Sequence, residues 1–95
     1  MLVTASAELR SFVRTHGGTA WVSCRGTAGL RWVTLLETRM RAPRSEVGFD
    51  LFVVDDILVA TRLPVHLRPH ELHLAMEGRR RRRPVTTWDG CVFII

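Results

Sequence analysis

The spacing of apolar residues changes once along this chain, after residue 18, and that change limits the folds open to it. Residues 4–18 read TASAELRSFVRTHGG and carry apolar residues at helical spacing. The predicted inward face consists of Ala5, Leu9, Phe12, Val13 and His16. Thr4 or Ser6 can cap this helix, and Gly17 followed by Gly18 can end it. We therefore expect one N-terminal helix.

The rest of the chain has the composition of strands. Residues 19–24 and 30–37 are rich in β-branched and aromatic side chains, and a glycine-containing loop joins them. Two apolar runs on either side of Asp55 and Asp56 predict a hairpin with a two-residue turn. Residues 71–77 alternate, with Leu72, Leu74 and Met76 on one face. Further short strands are predicted at residues 85–88 and 91–95.

These elements predict a small α+β domain that spans residues 1–95, in which a mixed β-sheet packs against the N-terminal helix. The pattern contains about six or seven short strands. Polar residues 38–48, which include Pro43, predict an exposed loop. The three tryptophans are expected to fill the core, and they are Trp21, Trp32 and Trp88.

Composition limits the class of protein further. The chain has 95 residues, 46% of them hydrophobic, and no apolar run approaches the ~20 residues that a membrane-spanning helix needs. The N-terminus lacks the features of a signal peptide. We therefore expect a cytoplasmic protein with no membrane partner. All fourteen basic residues are arginine, and five of them form one run, Arg79 to Arg83, so the net charge of +5 is concentrated there.

This arginine run, defined as Arg79, Arg80, Arg81, Arg82 and Arg83, supports a nucleic-acid-binding hypothesis. Five guanidinium groups could neutralise several phosphates and make binding dependent on salt. The run contains no aromatic residue for base stacking, and no helix-turn-helix or zinc-finger motif accompanies it. The simpler interpretation is a solvated loop that contacts an acidic partner.

Candidate metal ligands are few. Cys24 and Cys91 do not make a disulfide framework in a chain of this kind, and buried thiols are the default interpretation. His66, His70 and His73 lie close in sequence, but their spacing around Pro69 is poor for a shared metal ion. No nucleophile motif is present, and the adjacent aspartates suit a turn. We therefore assign no catalytic residue and do not expect an enzyme.

The order of the elements resembles that of the A-type iron–sulfur carriers, which have the HesB-like fold. The resemblance spans nearly the whole chain and rests on five stretches, which are VTASA at the helix start, GTAGLRW after the first long strand, GFDLFVVDDILVA in the hairpin, LHLAMEG in the alternating strand, and WDGCVFI near the C-terminus. In that family, the glycine loop and the C-terminal segment carry three cysteines that bind the cluster.

The resemblance also implies that this ligand set is incomplete. Thr27 stands where the family has its first cysteine. If Phe93 is aligned with the family phenylalanine, Thr87 and Asp89 occupy the other two ligand positions; a shift by two residues instead keeps Cys91 and loses the phenylalanine. A threonine hydroxyl does not replace a thiolate in an iron–sulfur site. The chain therefore resembles a degenerate member of the family.

Three functional hypotheses follow. The first is a non-catalytic HesB-like protein without a cofactor, which acts as a protein-interaction or assembly module. The second is an iron–sulfur or zinc carrier in which Cys24 and Cys91 from two chains supply four thiolates across a homodimer. The third is a nucleic-acid-binding accessory protein that uses the arginine run. We favour the first, because strand alternation with Trp21 and Val22 turns Cys24 toward the core.

Overall fold

The computed structural model describes residues 1–25, 35–63 and 70–88. Within these ranges, the chain forms one helix and seven strands. In chain order they are β1 (Leu2–Ala5), α1 (Ala7–Thr15), β2 (Thr19–Arg25), β3 (Leu35–Arg39), β4 (Asp50–Val54), β5 (Ile57–Arg62), β6 (Glu71–Glu77) and β7 (Arg83–Trp88). The predicted α+β class is confirmed. The glycine loop between β2 and β3 and the predicted strand at residues 91–95 lie outside the described residues.

Helix α1 begins and ends for local reasons. The Ser6 side chain caps it by accepting a hydrogen bond from the Leu9 amide at 3.2 Å. Gly17 and Gly18 follow with φ angles of 106° and 85°, which residues other than glycine rarely adopt. Leu9 and Val13, one turn apart, are fully buried and form the inward face of the helix.

The strands form two mixed sheets. One has the order β1-β6-β7, with β1 parallel to β6 and β7 antiparallel to it. The other has the order β3-β2-β5-β4, with a parallel pair at β2 and β5 and antiparallel pairs on either side. Strand β3 lies against β7, where the Thr38 and Thr86 hydroxyls hydrogen bond at 2.6 Å, and β1 lies against β4. The two sheets therefore meet at both edges around a shared interior.

Strand β1 corrects the sequence-based prediction. Thr4 and Ala5 were expected at the start of the helix, but they belong to a strand that pairs in parallel with β6, with Thr4 beside His73. The Ser6 amide then donates to the Leu74 carbonyl at 2.9 Å, so the pairing continues up to the helix cap. The helix is shorter than predicted because this distant partner binds the backbone that precedes it.

A single buried cluster joins the helix to both sheets. Its members are Leu9, Val13, Ala20, Val22, Val54, Ile57, Val59, Leu74 and Met76. The prediction that tryptophans fill the core is wrong for Trp21 and Trp88, which are only half-buried and stand outside this cluster. Trp21 instead contacts Phe49 edge-on, with ring centroids 5.2 Å apart. Trp32 lies outside the described residues. Aliphatic side chains and a methionine therefore make up this cluster, and Phe12 and Phe52 pack against it.

Candidate interaction surfaces

Strand pairing in the β4–β5 hairpin leaves three large apolar side chains on the outer face of its sheet. Val53 lies opposite Leu58, and Leu51 lies opposite Ala60. Leu51, Val53 and Leu58 are 65%, 77% and 38% exposed, whereas Phe52 and Val59, the next residues along each strand, pack toward the core. We call Leu51, Val53 and Leu58 the outer apolar patch. Leu51 and Val53 lie in β4, the strand at one edge of this sheet, and Leu58 lies in the neighbouring strand β5.

The other end of the same face is covered by its own side chains. The Arg62 guanidinium lies 4.6 Å from the centroid of the Phe49 ring, and Phe49 packs edge-on against Trp21. Ala60, which lies beside Trp21 in the neighbouring strand, is fully buried. The sheet therefore shields its apolar groups at one end and leaves the outer apolar patch open at the other.

The turn of this hairpin is neutralised by helix α1. Arg10 forms an ion pair with Asp55 at 3.0 Å, and Arg14, one helical turn later, forms a hydrogen-bonded ion pair with Asp56. The hydrogen bond from Arg14 is the main reason that the pKa of the Asp56 carboxyl lies below its ordinary value. The sequence predicts a turn at these aspartates but does not reveal that two arginines of α1 pair with them.

The β6–β7 loop carries the arginine run. Glu77 pairs with Arg83 at the last position of the ladder, so the loop consists of Gly78 and the four arginines Arg79 to Arg82. Gly78 has a φ of 110°, and a Cβ atom there would lie 2.1 Å from the Arg81 carbonyl oxygen. This close approach of backbone to backbone makes glycine necessary and gives the loop a tight shape.

Arg82 holds this loop from within. Its guanidinium donates to the Gly78 carbonyl at 2.7 Å and to the Met76 carbonyl at 3.0 Å. It also binds both carboxylate oxygens of Glu8, with 3.0 Å from Nε to Oε2. The hydrogen bond from Arg82 lowers the pKa of the Glu8 carboxyl, and the same bond raises the pKa of Arg82. Glu8 and Arg82 therefore fasten the loop to the first turn of α1, and we call this pair the clamp.

Three arginines of the run have no such role. Arg79, Arg80 and Arg81 are exposed, and within residues 1–25, 35–63 and 70–88 none of them forms a hydrogen bond or an ion pair. We call these three residues the loop tip. Arg83 begins β7 and is exposed. The structure thus divides five adjacent, chemically identical residues into different environments.

Cys24 lies on the inner face of its strand, as the alternation predicts. It shares that face with the buried residues Ala20 and Val22 and lies opposite Leu36 in β3. The thiol is not in a disulfide, and desolvation raises the pKa of Cys24, which disfavours the thiolate that a metal ion binds. Cys91 lies outside the described residues.

The remaining candidate ligands are placed only in part. His70 and His73 are exposed, and His73 Nδ1 lies 2.8 Å from the Thr4 hydroxyl. Thr87 is half-buried and donates to the His73 carbonyl at 3.4 Å. His66, Thr27 and Asp89 lie outside the described residues. Among the residues described, no group of three His, Cys, Asp or Glu side chains could hold a metal ion.

Comparisons with protein-family models, with curated proteins and with solved structures found no match to this chain. In the part of the chain that the structure describes, no helix is both long enough and apolar enough to cross a membrane. The structure of the chain alone therefore identifies the candidate functional surfaces. These are the outer apolar patch and the loop tip.

Proposed function

We propose that this protein is a non-catalytic, HesB-like module that acts by binding another protein through the outer apolar patch. The single observation that carries the proposal is the exposure of Leu51, Val53 and Leu58 on one face of one hairpin. Burial of one such side chain contributes about 1.5–3 kcal/mol. Contiguous apolar surface of this kind is typical of protein-binding sites.

The residues at the family ligand positions support a binding role over a carrier role. Thr27 and Thr87 offer hydroxyl groups where an iron–sulfur cluster requires thiolates. Thr87 donates its hydroxyl hydrogen to the His73 carbonyl, and Cys24 is turned inward in a desolvated setting that favours its thiol form. The described residues therefore do not fit such a cluster.

The test places a photo-activated cross-linking amino acid at Val53 of the full chain, expressed in its own cells. A matched control carries the same amino acid at Glu46, which is exposed in the polar segment before β4. We expect one protein to be cross-linked from Val53 and not from Glu46, and we expect L51S/L58S to abolish that product in the Val53 background. Equal cross-linked products from both positions would contradict the proposal. A cross-link between two copies of this chain would show that the patch is a homodimer interface and not a site for another protein.

The carrier hypothesis makes an opposite prediction that the same protein can settle. If Cys24 and Cys91 hold a cluster or zinc across a dimer, protein purified without oxygen contains metal, and the metal is lost in both C24S and C91S. Iron with equivalent sulfide and a visible charge-transfer band would overturn the proposed function. The binding proposal expects both variants to match the parent protein in metal content and in cross-linking from Val53.

A further inference from the structure

We propose that the loop tip, formed by Arg79, Arg80 and Arg81, binds a short acidic segment of a partner protein. This inference rests on the proposed function, because it assigns a second surface and a chemical character to the same type of partner. The first support is that the three guanidinium groups are exposed and form no hydrogen bond or ion pair with the described part of the chain. Guanidinium groups bind carboxylates through two parallel hydrogen bonds.

The second support is that the loop is shaped before any partner arrives. Gly78 adopts a left-handed conformation against the Arg81 carbonyl, and Arg82 bridges the carbonyls of Met76 and Gly78. Glu8 then fixes the Arg82 guanidinium from the helix. Order that already exists in the free protein lowers the entropy lost on binding. The clamp therefore presents the loop tip in a restricted geometry and uses only one arginine to do so.

The distribution of charge favours an acidic protein segment over a nucleic acid. Removing the five arginines of the run from the fourteen basic residues leaves nine, which equals the number of acidic residues. Outside the run, basic and acidic residues are therefore equal in number, so the net charge of +5 corresponds to the run alone. A protein that follows a phosphate backbone usually carries excess basic residues over a longer stripe of its surface. The loop contains no aromatic side chain on which a base could stack.

The experiment measures binding of a fluorescein-labelled peptide of alternating glutamate and aspartate to the full chain by fluorescence anisotropy. R79S/R81S is compared with R41S/R44S, a matched control that removes two exposed arginines between β3 and β4. Both variants lower the net charge equally, and circular dichroism checks their folding. We expect the loop variant to weaken binding about tenfold and the control to weaken it less than about twofold.

Equal weakening by the two variants would overturn the inference, since it would show that net charge alone attracts the peptide. Tighter binding of a single-stranded RNA of the same charge, with the same loss in R79S/R81S, would overturn it in favour of a nucleic acid. Failure of the peptide to bind would also overturn it and would leave cross-linking from Val53 unchanged. Conversely, loss of the cross-link in L51S/L58S says nothing about the loop, so the two proposals fail separately.

The contribution of the clamp is tested by Glu8→Ala. This variant gains one unit of positive charge, and by charge alone it would bind an acidic peptide more tightly. Because the clamp orders the loop, we expect weaker binding instead, by about threefold, and a smaller difference between R79S/R81S and R41S/R44S in this background. Tighter binding by Glu8→Ala would overturn the claim that the loop tip is shaped in advance.

Discussion

The β4–β5 hairpin and the β6–β7 hairpin are both tied to helix α1 by ion pairs, but with opposite polarity. At the β4–β5 turn, the hairpin supplies the carboxylates of Asp55 and Asp56, and the helix supplies Arg10 and Arg14. At the β6–β7 loop, the hairpin supplies one guanidinium and the helix supplies Glu8. One short helix therefore joins both sheets, with acid near its N-terminus and base further along, as the helix dipole favours.

The two hairpins differ in what remains after these pairs have formed. Both aspartates of the β4–β5 turn have arginine partners, whereas the three cations of the other hairpin's loop tip have no partner among residues 1–25, 35–63 and 70–88. The strands show the reverse difference. Strand β6 alternates between buried apolar and exposed residues, whereas β4 is apolar on both faces. Each hairpin thus exposes one kind of group beyond what the fold uses, apolar atoms in one and positive charge in the other.

The largest expected effect tests whether the two hairpins share a core. Ile57 in β5 and Leu74 in β6 are almost completely buried in the same cluster. Ile57→Ala and Leu74→Ala should each lower the free energy of unfolding by about 2–5 kcal/mol, because each leaves a cavity. Urea unfolding followed by circular dichroism measures this, with Leu51→Ala at the exposed patch as the control. A loss below about 1 kcal/mol at either buried position would place that hairpin outside the common core.

A second prediction sharpens the contrast between the two turns. The β4–β5 turn tolerates Asp55 at a φ of 53°, but the β6–β7 loop brings a backbone carbonyl against Gly78. Gly78→Ala should cost more than the ~1–3 kcal/mol of a strained left-handed residue. Gly17→Ala is the control, since its φ is 106° and nothing lies within 4 Å of the added carbon. Equal unfolding free energies for the two variants would mean that the loop backbone shifts at little cost to accommodate the added carbon at position 78.

The third prediction is that acid breaks the ion pairs between α1 and both hairpins. This holds although one hairpin contributes the carboxylate to its pair and the other contributes the guanidinium. In each case the carboxylate titrates, at Glu8 in one and Asp56 in the other, and its pKa is lower in the folded protein. The unfolded chain then binds more protons in acid, so stability rises with pH in this window. The stabilisation is complete above the ordinary values of 4.5 for Glu8 and 3.8 for Asp56 and is lost as pH falls through the lowered pKa.

The measurement compares the parent protein with Glu8→Gln and Asp56→Asn by thermal unfolding from about pH 7 to about pH 2. Each variant should be less stable than the parent near neutrality, and the difference should shrink toward zero in acid. A constant difference across the range would show that the substitution acts through helix propensity or turn conformation instead of through the ion pair.

Local signals in the sequence account for the elements that were predicted correctly. The β4–β5 hairpin and β6 follow from apolar spacing and from two turn-forming aspartates, and Ser6 and Gly17 mark the ends of α1. Strand β1 could not be predicted in this way, because its four residues adjoin a helix and its partner β6 lies near the other end of the chain. Parallel pairing across such a distance leaves no pattern in the neighbouring residues.

The candidate surfaces were visible only in part. The sequence contains a signal for the outer apolar patch, since Leu51 and Val53 alternate with the inward residues Phe52 and Val54 and make β4 apolar on both faces. That pattern also fits a strand buried on both faces, so it does not by itself indicate exposure. The sequence shows the arginine run only as a whole. Five identical letters do not show that Arg82 is held by Glu8, which comes seventy-four positions earlier in the chain.

The smallest expected effect on stability tests the comparison most directly. R79S/R81S removes charges that have no partner in the described structure, so the free energy of unfolding should change by less than about 0.5 kcal/mol. Any change should be a gain in stability, since adjacent like charges repel, and salt should remove that gain.

The control is Asp55→Asn together with Asp56→Asn, which removes two charges that are paired and should be destabilising. Urea unfolding at low and high salt compares the variants, and a clear loss in R79S/R81S would show that the loop tip serves the fold. Retained stability with weakened binding of the acidic peptide would separate a charge that holds the fold together from a charge available to a partner.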